Sequence, residues 1–153
     1  MWLDVASRAL PAHATLAYSE LGLTEFADVV ARLRGSPATQ AAAERQRLAQ
    51  LALPSRCLVV QEQGEPVACG CIVVDGEVAG IFNMVTAPAQ RGRGHATAIV
   101  AQLLQHAAAT GVRWMYLQVD AANASARHVY GKFGFRDRYA YWYRVQPHQG
   151  EAR

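Results

Sequence analysis

Met84-Val85-Thr86-Ala87-Pro88-Ala89-Gln90-Arg91-Gly92-Arg93-Gly94-His95-Ala96 is the stretch that decides how this chain reads. It joins a β-rich run, Val78 to Thr86, to a run in which Ala96, Ile99, Val100, Leu103, Leu104 and Ala107 recur at helical spacing. A strand therefore passes into a helix here. The first turn of a helix carries N–H groups without helical partners and a partial positive charge. Gly92, Gly94 and Ala96 are small enough to let an anion close on those groups. Arg91 and Arg93 add charge, His95 adds its backbone N–H, and the Thr97 hydroxyl offers another hydrogen bond. The segment is a candidate phosphate cradle. The competing reading is a glycine-rich turn before an ordinary helix.

Upstream, Arg56 to Gln61 is a short β-rich run, Gln63-Gly64 turns the chain, and Val67 to Val74 is a second strand. Asp75-Gly76 is a hairpin signal before Val78. Three strands thus form an antiparallel meander. Before Ser55 the chain is Ala-rich, without a strong strand signal. Leu23–Leu33 and Ala38–Leu53 read as helices, broken by Gly35-Ser36-Pro37 and stopped by Pro54. Ala42, Leu48, Leu51 and Leu53 are the expected buried face of the second, and Trp2 to Val5 is a candidate first strand. Downstream of the cradle, Gly111 ends the amphipathic helix. Arg113 to Val119 is a strand with Met115, Leu117 and Val119 on one face. A further helix carries the stripe Ala126, Val129, Tyr130 and Phe133 and stops at Gly134. Phe135 to Val145 is expected as a last strand, with Tyr139, Tyr141 and Tyr143 on one face.

Two well-known phosphate loops do not fit. The P-loop ends in Gly-Lys-Ser/Thr, which is absent, and the dinucleotide fingerprint needs a third glycine where Thr97 stands. What remains is Arg91-x-x-Gly94-x-Ala96, starting three residues after Pro88. Farther on, Leu117-Gln118-Val119 precedes Asn123, Ala126, Tyr130 and Gly134-Phe135. In this order, the two motifs resemble those of the GNAT superfamily of N-acetyltransferases, over about Val59 to Arg144.

That resemblance implies one domain over residues 1–153, with a helical N-terminal part (1–55) and a sheet and CoA-binding core (56–145). The implied fold is α/β: a mixed, mostly antiparallel central sheet with helices on both faces and a splayed pair of parallel strands. A bulge near Met84 and Val85 is expected to open the splay. Acetyl-CoA is the implied cofactor. Its pantetheine arm is expected along the backbone of Met84, Val85 and Thr86, and its pyrophosphate on Arg91, Gly92, Arg93, Gly94, His95, Ala96 and Thr97.

Acetyl transfer to an amine requires a neutral amine, a donor for the oxyanion and a proton for the leaving thiolate. An alkyl amine has a pKa of roughly 10, so it must be deprotonated or desolvated. The backbone N–H of Met84 or Val85 is the expected oxyanion donor. Tyr130 stands where the family often places a tyrosine beside the CoA sulfur and is the expected acid; the bland reading makes it part of the helix stripe. Asn123 is expected to bond the pantetheine, to cap the second helix, or both. No base is visible, since the strand before the loop reads Gly80-Ile81-Phe82-Asn83-Met84 without a carboxylate. Glu77 and Asp120 lie near strand ends and read either as bases or as solvated turn residues. A water chain to bulk serves equally well.

The 153 residues are 52% hydrophobic and 18% charged, enough for one core that buries roughly 70% of the unfolded surface. The cysteines, Cys57, Cys69 and Cys71, are odd in number, which suits reduced thiols and a cytoplasmic location. Cys69 and Cys71 share a strand face without a histidine pattern nearby, so core packing is expected and no metal. No apolar run approaches the ~20 residues of a membrane helix, and no membrane partner is expected. The net charge of +3 suits an anionic small molecule without requiring one. Arg91, Arg93, Lys132, Arg136 and Arg138 offer a nucleic-acid reading, but no basic–aromatic alternation supports it and no nucleic-acid partner is expected. The expected partner is a small-molecule or peptide amine. Edge strands leave a homodimer open, and a non-catalytic acyl-CoA sensor is the alternative function.

Overall fold

Two tight reversals set the centre of the sheet. Gln63 and Gly64 have φ of 53° and 81°, the left-handed pair that a two-residue link between right-twisted strands requires. They join β3 (Ser55–Glu62) to β4 (Glu65–Asp75), and Gly76, at φ 58°, turns β4 into β5 (Val78–Thr86). This is the expected meander. The computed structural model describes residues 1–5 and 17–142. Before the meander come β1 (Trp2–Asp4), β2 (Ser19–Leu21), α1 (Leu23–Arg34) and α2 (Ala38–Ala49). After it come a 3₁₀ turn (Pro88–Gln90), α3 (His95–Ala109), β6 (Trp114–Leu117) and α4 (Ala124–Lys132).

The six strands lie in the order β1-β6-β5-β4-β3-β2. Every neighbouring pair is antiparallel except β5 and β6, which run parallel because α3 carries the chain back across the sheet. Alternation along β3 and β4 divides the core between two faces. Leu58, Val60, Ala68 and Ile72 pack with Ile99, Val100, Leu103 and Leu104 of α3. Cys57, Val59, Cys69 and Cys71 pack with Phe26, Ala27 and Val30 of α1 and Leu48 of α2. Helices therefore cover both faces, as expected, and the three cysteines are buried free thiols in the α1-side core.

Several expectations are corrected. The N-terminal part is not wholly helical, because β2 extends the meander beside β3. Trp2–Asp4 is a strand, but it pairs with β6 at the opposite edge. α2 ends at Ala49, four residues short of Leu53. Of its expected face only Leu48 is buried; Ala42 and Leu53 are exposed and Leu51 half-buried. Pro54 disfavours helix in the residue before it, so the chain leaves α2 early to reach β3. Over the described part of the expected last strand, Arg136 makes one antiparallel bridge to Trp2 and residues 137–142 carry no strand; residues 143–145 lie outside the described residues. β1 lies between β6 and that bridge. Tyr139 and Tyr141 are exposed, while Tyr143 lies outside the described residues.

Gly70 of β4 faces α3 directly opposite the irregular part of β5. A Cβ there would lie 2.2 Å from Met84 Sδ and 2.8 Å from Ile99 Cγ2. Met84 can swing away, but Ile99 is locked in the core. Gly70→Ala is therefore expected to cost about 1–3 kcal/mol, read as a lower midpoint in urea.

Candidate active site

β5 and β6 pair only from Val78↔Trp114 to Ile81↔Leu117. Beyond Ile81, β5 continues to Thr86 while β6 ends at Leu117, so the parallel pair opens. On its other side β5 carries a bulge. Cys69 pairs with Val85 and Cys71 with Phe82, so Asn83 and Met84 together oppose Gly70. Asn83 takes the extra turn, with φ at 52°; apart from Gln63 in its hairpin, it is the one non-glycine among the described residues in that region. The expected bulge at Met84 and Val85 thus centres one residue earlier.

The bulge decides which amides face the opening. Ala87 N–H donates to Val67 O at 2.8 Å, and Val85 N–H donates toward the Cys69 thiol, so both point at β4. Alternation then turns the N–H groups of Met84 and Thr86 toward the open edge. Of the two expected oxyanion donors, Met84 is the one so placed. Val85 instead helps hold the strand on β4.

The loop expected to cradle a phosphate follows directly. Gly92 and Gly94 have φ of 78° and 88°, and a Cβ on either would meet open space. Gly94 is the N-cap of α3 and no side chain caps it. The first helical bond recorded there is Ala98 N–H to Gly94 O, at 3.0 Å. The N–H groups of His95, Ala96 and Thr97 thus precede the helical ladder. Arg91 is exposed, with Nε 3.5 Å from Thr86 O, which ties the loop to the end of β5. Arg93 lies 3.8 Å from Glu62. The His95 side chain is buried, 4% exposed, with Nε2 3.4 Å from Glu62 Oε1, so it contributes to the cradle through its backbone.

The second motif is equally well placed. Asn123 Oδ1 accepts from Ala126 N–H at 3.0 Å, so the N-cap reading of Asn123 holds. Asn123→Ala is expected to cost about 1 kcal/mol of stability, checked by thermal unfolding. Tyr130 is buried, 7% exposed, its ring centroid 6.0 Å from that of Phe135. Burial pushes its phenol up to about 12. Both candidate bases are exposed: Asp120 Oδ1 accepts from Ala122 N–H at 2.8 Å, and the Glu77 carbonyl accepts from Arg113 and Trp114. They are turn residues.

One carboxylate does reach the bulge, and sequence reading missed it. Glu44 Oε1, from α2, accepts from Asn83 Nδ2 at 3.0 Å. Arg34, the last residue of α1, donates to Asn83 Oδ1 at 3.0 Å. Arg47 holds Glu44 from one turn onward, and its hydrogen bond is the main cause that lowers the Glu44 carboxyl below its ordinary range. No local signal marks Glu44, because its partner is distant in sequence. Among the described residues no cluster of His, Cys, Asp or Glu is arranged to hold a metal. No helix among them is long and apolar enough to cross a membrane.

The family described as Acetyltransferase (GNAT) family matches residues 23–135, most of the chain and both motifs. The chain belongs to the GNAT acetyltransferase family. This GNAT chain is 36% identical over 74 residues to YobR of Bacillus subtilis (strain 168), described as an uncharacterized N-acetyltransferase. The match takes in 48% of the chain and 30% of YobR, so the chain spans under a third of that relative. The fold matches the ribosomal-protein-S18-alanine N-acetyltransferase of Escherichia coli with a TM-score of 0.68 at 20% identity, over 80% of this chain and 79% of that one. It also matches AAC(6')-Iy, solved with the bisubstrate analog CoA-S-monomethyl-acetylneamine, with a TM-score of 0.64 at 16% identity, over 87% and 99%. These likenesses place the α/β architecture with its splayed parallel pair among GNAT folds.

Proposed function

We propose that this GNAT domain transfers acetyl from acetyl-CoA to a primary amine of a small molecule or peptide by direct attack. The observation that carries the reading is the uncapped N-terminus of α3 beside the open edge of β5. Open space over Gly92 and Gly94 fits a diphosphate held by the amides of residues 92–97, with Arg91 and Arg93 neutralising its charge. The Thr86 amide extends the same line into the splay as a pseudo-strand partner for an amide-bearing arm.

Within that frame each residue has a task. The Met84 N–H donates to the thioester oxygen as it gains negative charge. The Tyr130 phenol, kept protonated by burial, donates to the departing sulfur. A bisubstrate analog joining CoA to an acetylated amine, as solved with AAC(6')-Iy, is the kind of ligand this arrangement suits.

Acetyl-CoA at about a hundred times its Kd adds about 2.7 kcal/mol of stability, which for a domain of this size raises Tm by about 5–10 °C. An amine panel read by free-thiol release then detects turnover. A melting temperature indifferent to millimolar acetyl-CoA refutes the proposal; a shift without thiol release from any amine leaves an acyl-CoA sensor.

A further inference from the structure

Asn83 is an unusual residue to find in the middle of a strand with a left-handed backbone. A single residue in that region costs up to about 1–3 kcal/mol, less for asparagine than for most others, and persists only where its surroundings hold it. Its surroundings do. The side-chain amide is gripped at both ends, with Arg34 donating to Oδ1 and Glu44 accepting from Nδ2, each at 3.0 Å. The grips come from different helices. Arg34 closes α1, Glu44 lies in the middle of α2, and Arg47 braces Glu44 at 2.7 Å. The Glu44 side chain is only 20% exposed, and its bond with Asn83 is partly shielded from water, while the Arg34 bond lies at the surface. A small cleft between α1 and α2, about 190 Å³, is lined by Arg34 and Glu44.

The backbone consequence lies one residue away. The peptide that follows Asn83 carries the Met84 N–H, and its direction is set by the Asn83 backbone angles. Were Asn83 to relax to ordinary β geometry, the bulge would be lost and the Met84 amide would rotate. We propose that Arg34 and Glu44 are positioning residues for acyl transfer: from α1 and α2 they clamp the Asn83 amide and so hold the bulge that aims the Met84 N–H into the splay. This rests on the coenzyme reading above. Glu44 is not the base. Its carboxyl is held low by Arg47 and Asn83, so it serves as a fixed hydrogen-bond acceptor.

The test uses the full chain and the variants Glu44→Ala, Glu44→Gln, Arg34→Ala, Asn83→Ala and Asn83→Gly. The readouts are the ¹⁵N–¹H resonance of Met84, its hydrogen-exchange protection by acetyl-CoA, and kcat and KM with the best amine of the panel. Glu44→Ala and Arg34→Ala should shift the Met84 resonance and lower kcat about tenfold, the scale of one lost charge-assisted hydrogen bond. KM for acetyl-CoA should change little, because the cradle is untouched. Glu44→Gln keeps an acceptor for Asn83 and should recover most of the loss. Asn83→Gly tolerates the left-handed backbone but has no amide to clamp, so it should behave like Glu44→Ala, and Asn83→Ala should be worse. Wild-type protein in which acetyl-CoA protects Met84, and Glu44→Ala and Arg34→Ala variants matching it in resonance, protection and kcat, would overturn the clamp alone. Wild-type protein without any acetyl-CoA protection would overturn the coenzyme reading and the clamp with it.

Discussion

Replacing Gly94 with valine is expected to weaken acetyl-CoA binding about a hundredfold or more while the fold survives. Gly94 holds φ at 88°, where a β-branched residue is strained, so about 1–3 kcal/mol of stability should be lost. A domain with the usual 5–15 kcal/mol tolerates that. A Cβ at this position would meet open space, with no heavy atom within 4 Å beyond its chain neighbours. That open space is where the diphosphate is proposed to sit. Valine would fill it and push the anion away from the first-turn amides of α3. Losing one or two charge-assisted hydrogen bonds corresponds to about a hundredfold in Kd or more. Calorimetric titration with acetyl-CoA checks this. Gly94→Ala separates strain from blockage, since it is less strained yet still intrudes. A valine variant that binds as tightly as wild type would remove the cradle from the site.

Tyr130→Phe is expected to lower kcat about a hundredfold with little change in KM for acetyl-CoA, if the phenol supplies the proton to the departing sulfur. The ring packs on Phe135 either way, so neutral-pH stability should stay close to wild type. The same substitution carries an alkaline signature. Burial raises the Tyr130 phenol from 10.0 to about 12 in the folded state. A raised folded pKa means that the unfolded chain loses this proton first. Its contribution to stability is whole below pH 10 and is lost as pH rises from 10 through about 12. Wild type should therefore lose stability relative to Tyr130→Phe across that window, measured by urea unfolding. Equal kcat in the two proteins would return Tyr130 to the helix stripe as a packing residue.

The strand-to-helix loop was legible in the sequence because everything that shapes it is local. Glycines at 92 and 94, arginines at 91 and 93, and the change of period from two to 3.6 all lie within one short segment. The hairpin turns at Gln63-Gly64 and Gly76 were legible for the same reason, since a turn is specified by the residues that make it. So was the cap at Asn123, whose partner is three residues on. Strand pairing at the edges was not. Trp2–Asp4 and Phe135–Val145 both carry strand composition, but which edge each joins rests on distant pairing: β1 lies beside β6, and Arg136 bridges Trp2 on the edge of β1 away from β6.

The sequence by itself determined the meander, the strand-to-helix cradle and the family, because turn chemistry, hydrophobic period and small residues act over a few positions. Only the tertiary structure decided where the strand edge opens, which amide points into the gap, and that Arg34 and Glu44 reach Asn83. Those contacts join residues 49 and 39 positions apart. They exist because α1 packs across β3 to β5 and α2 packs on α1, and no local pattern of Arg, Glu or Asn carries that information.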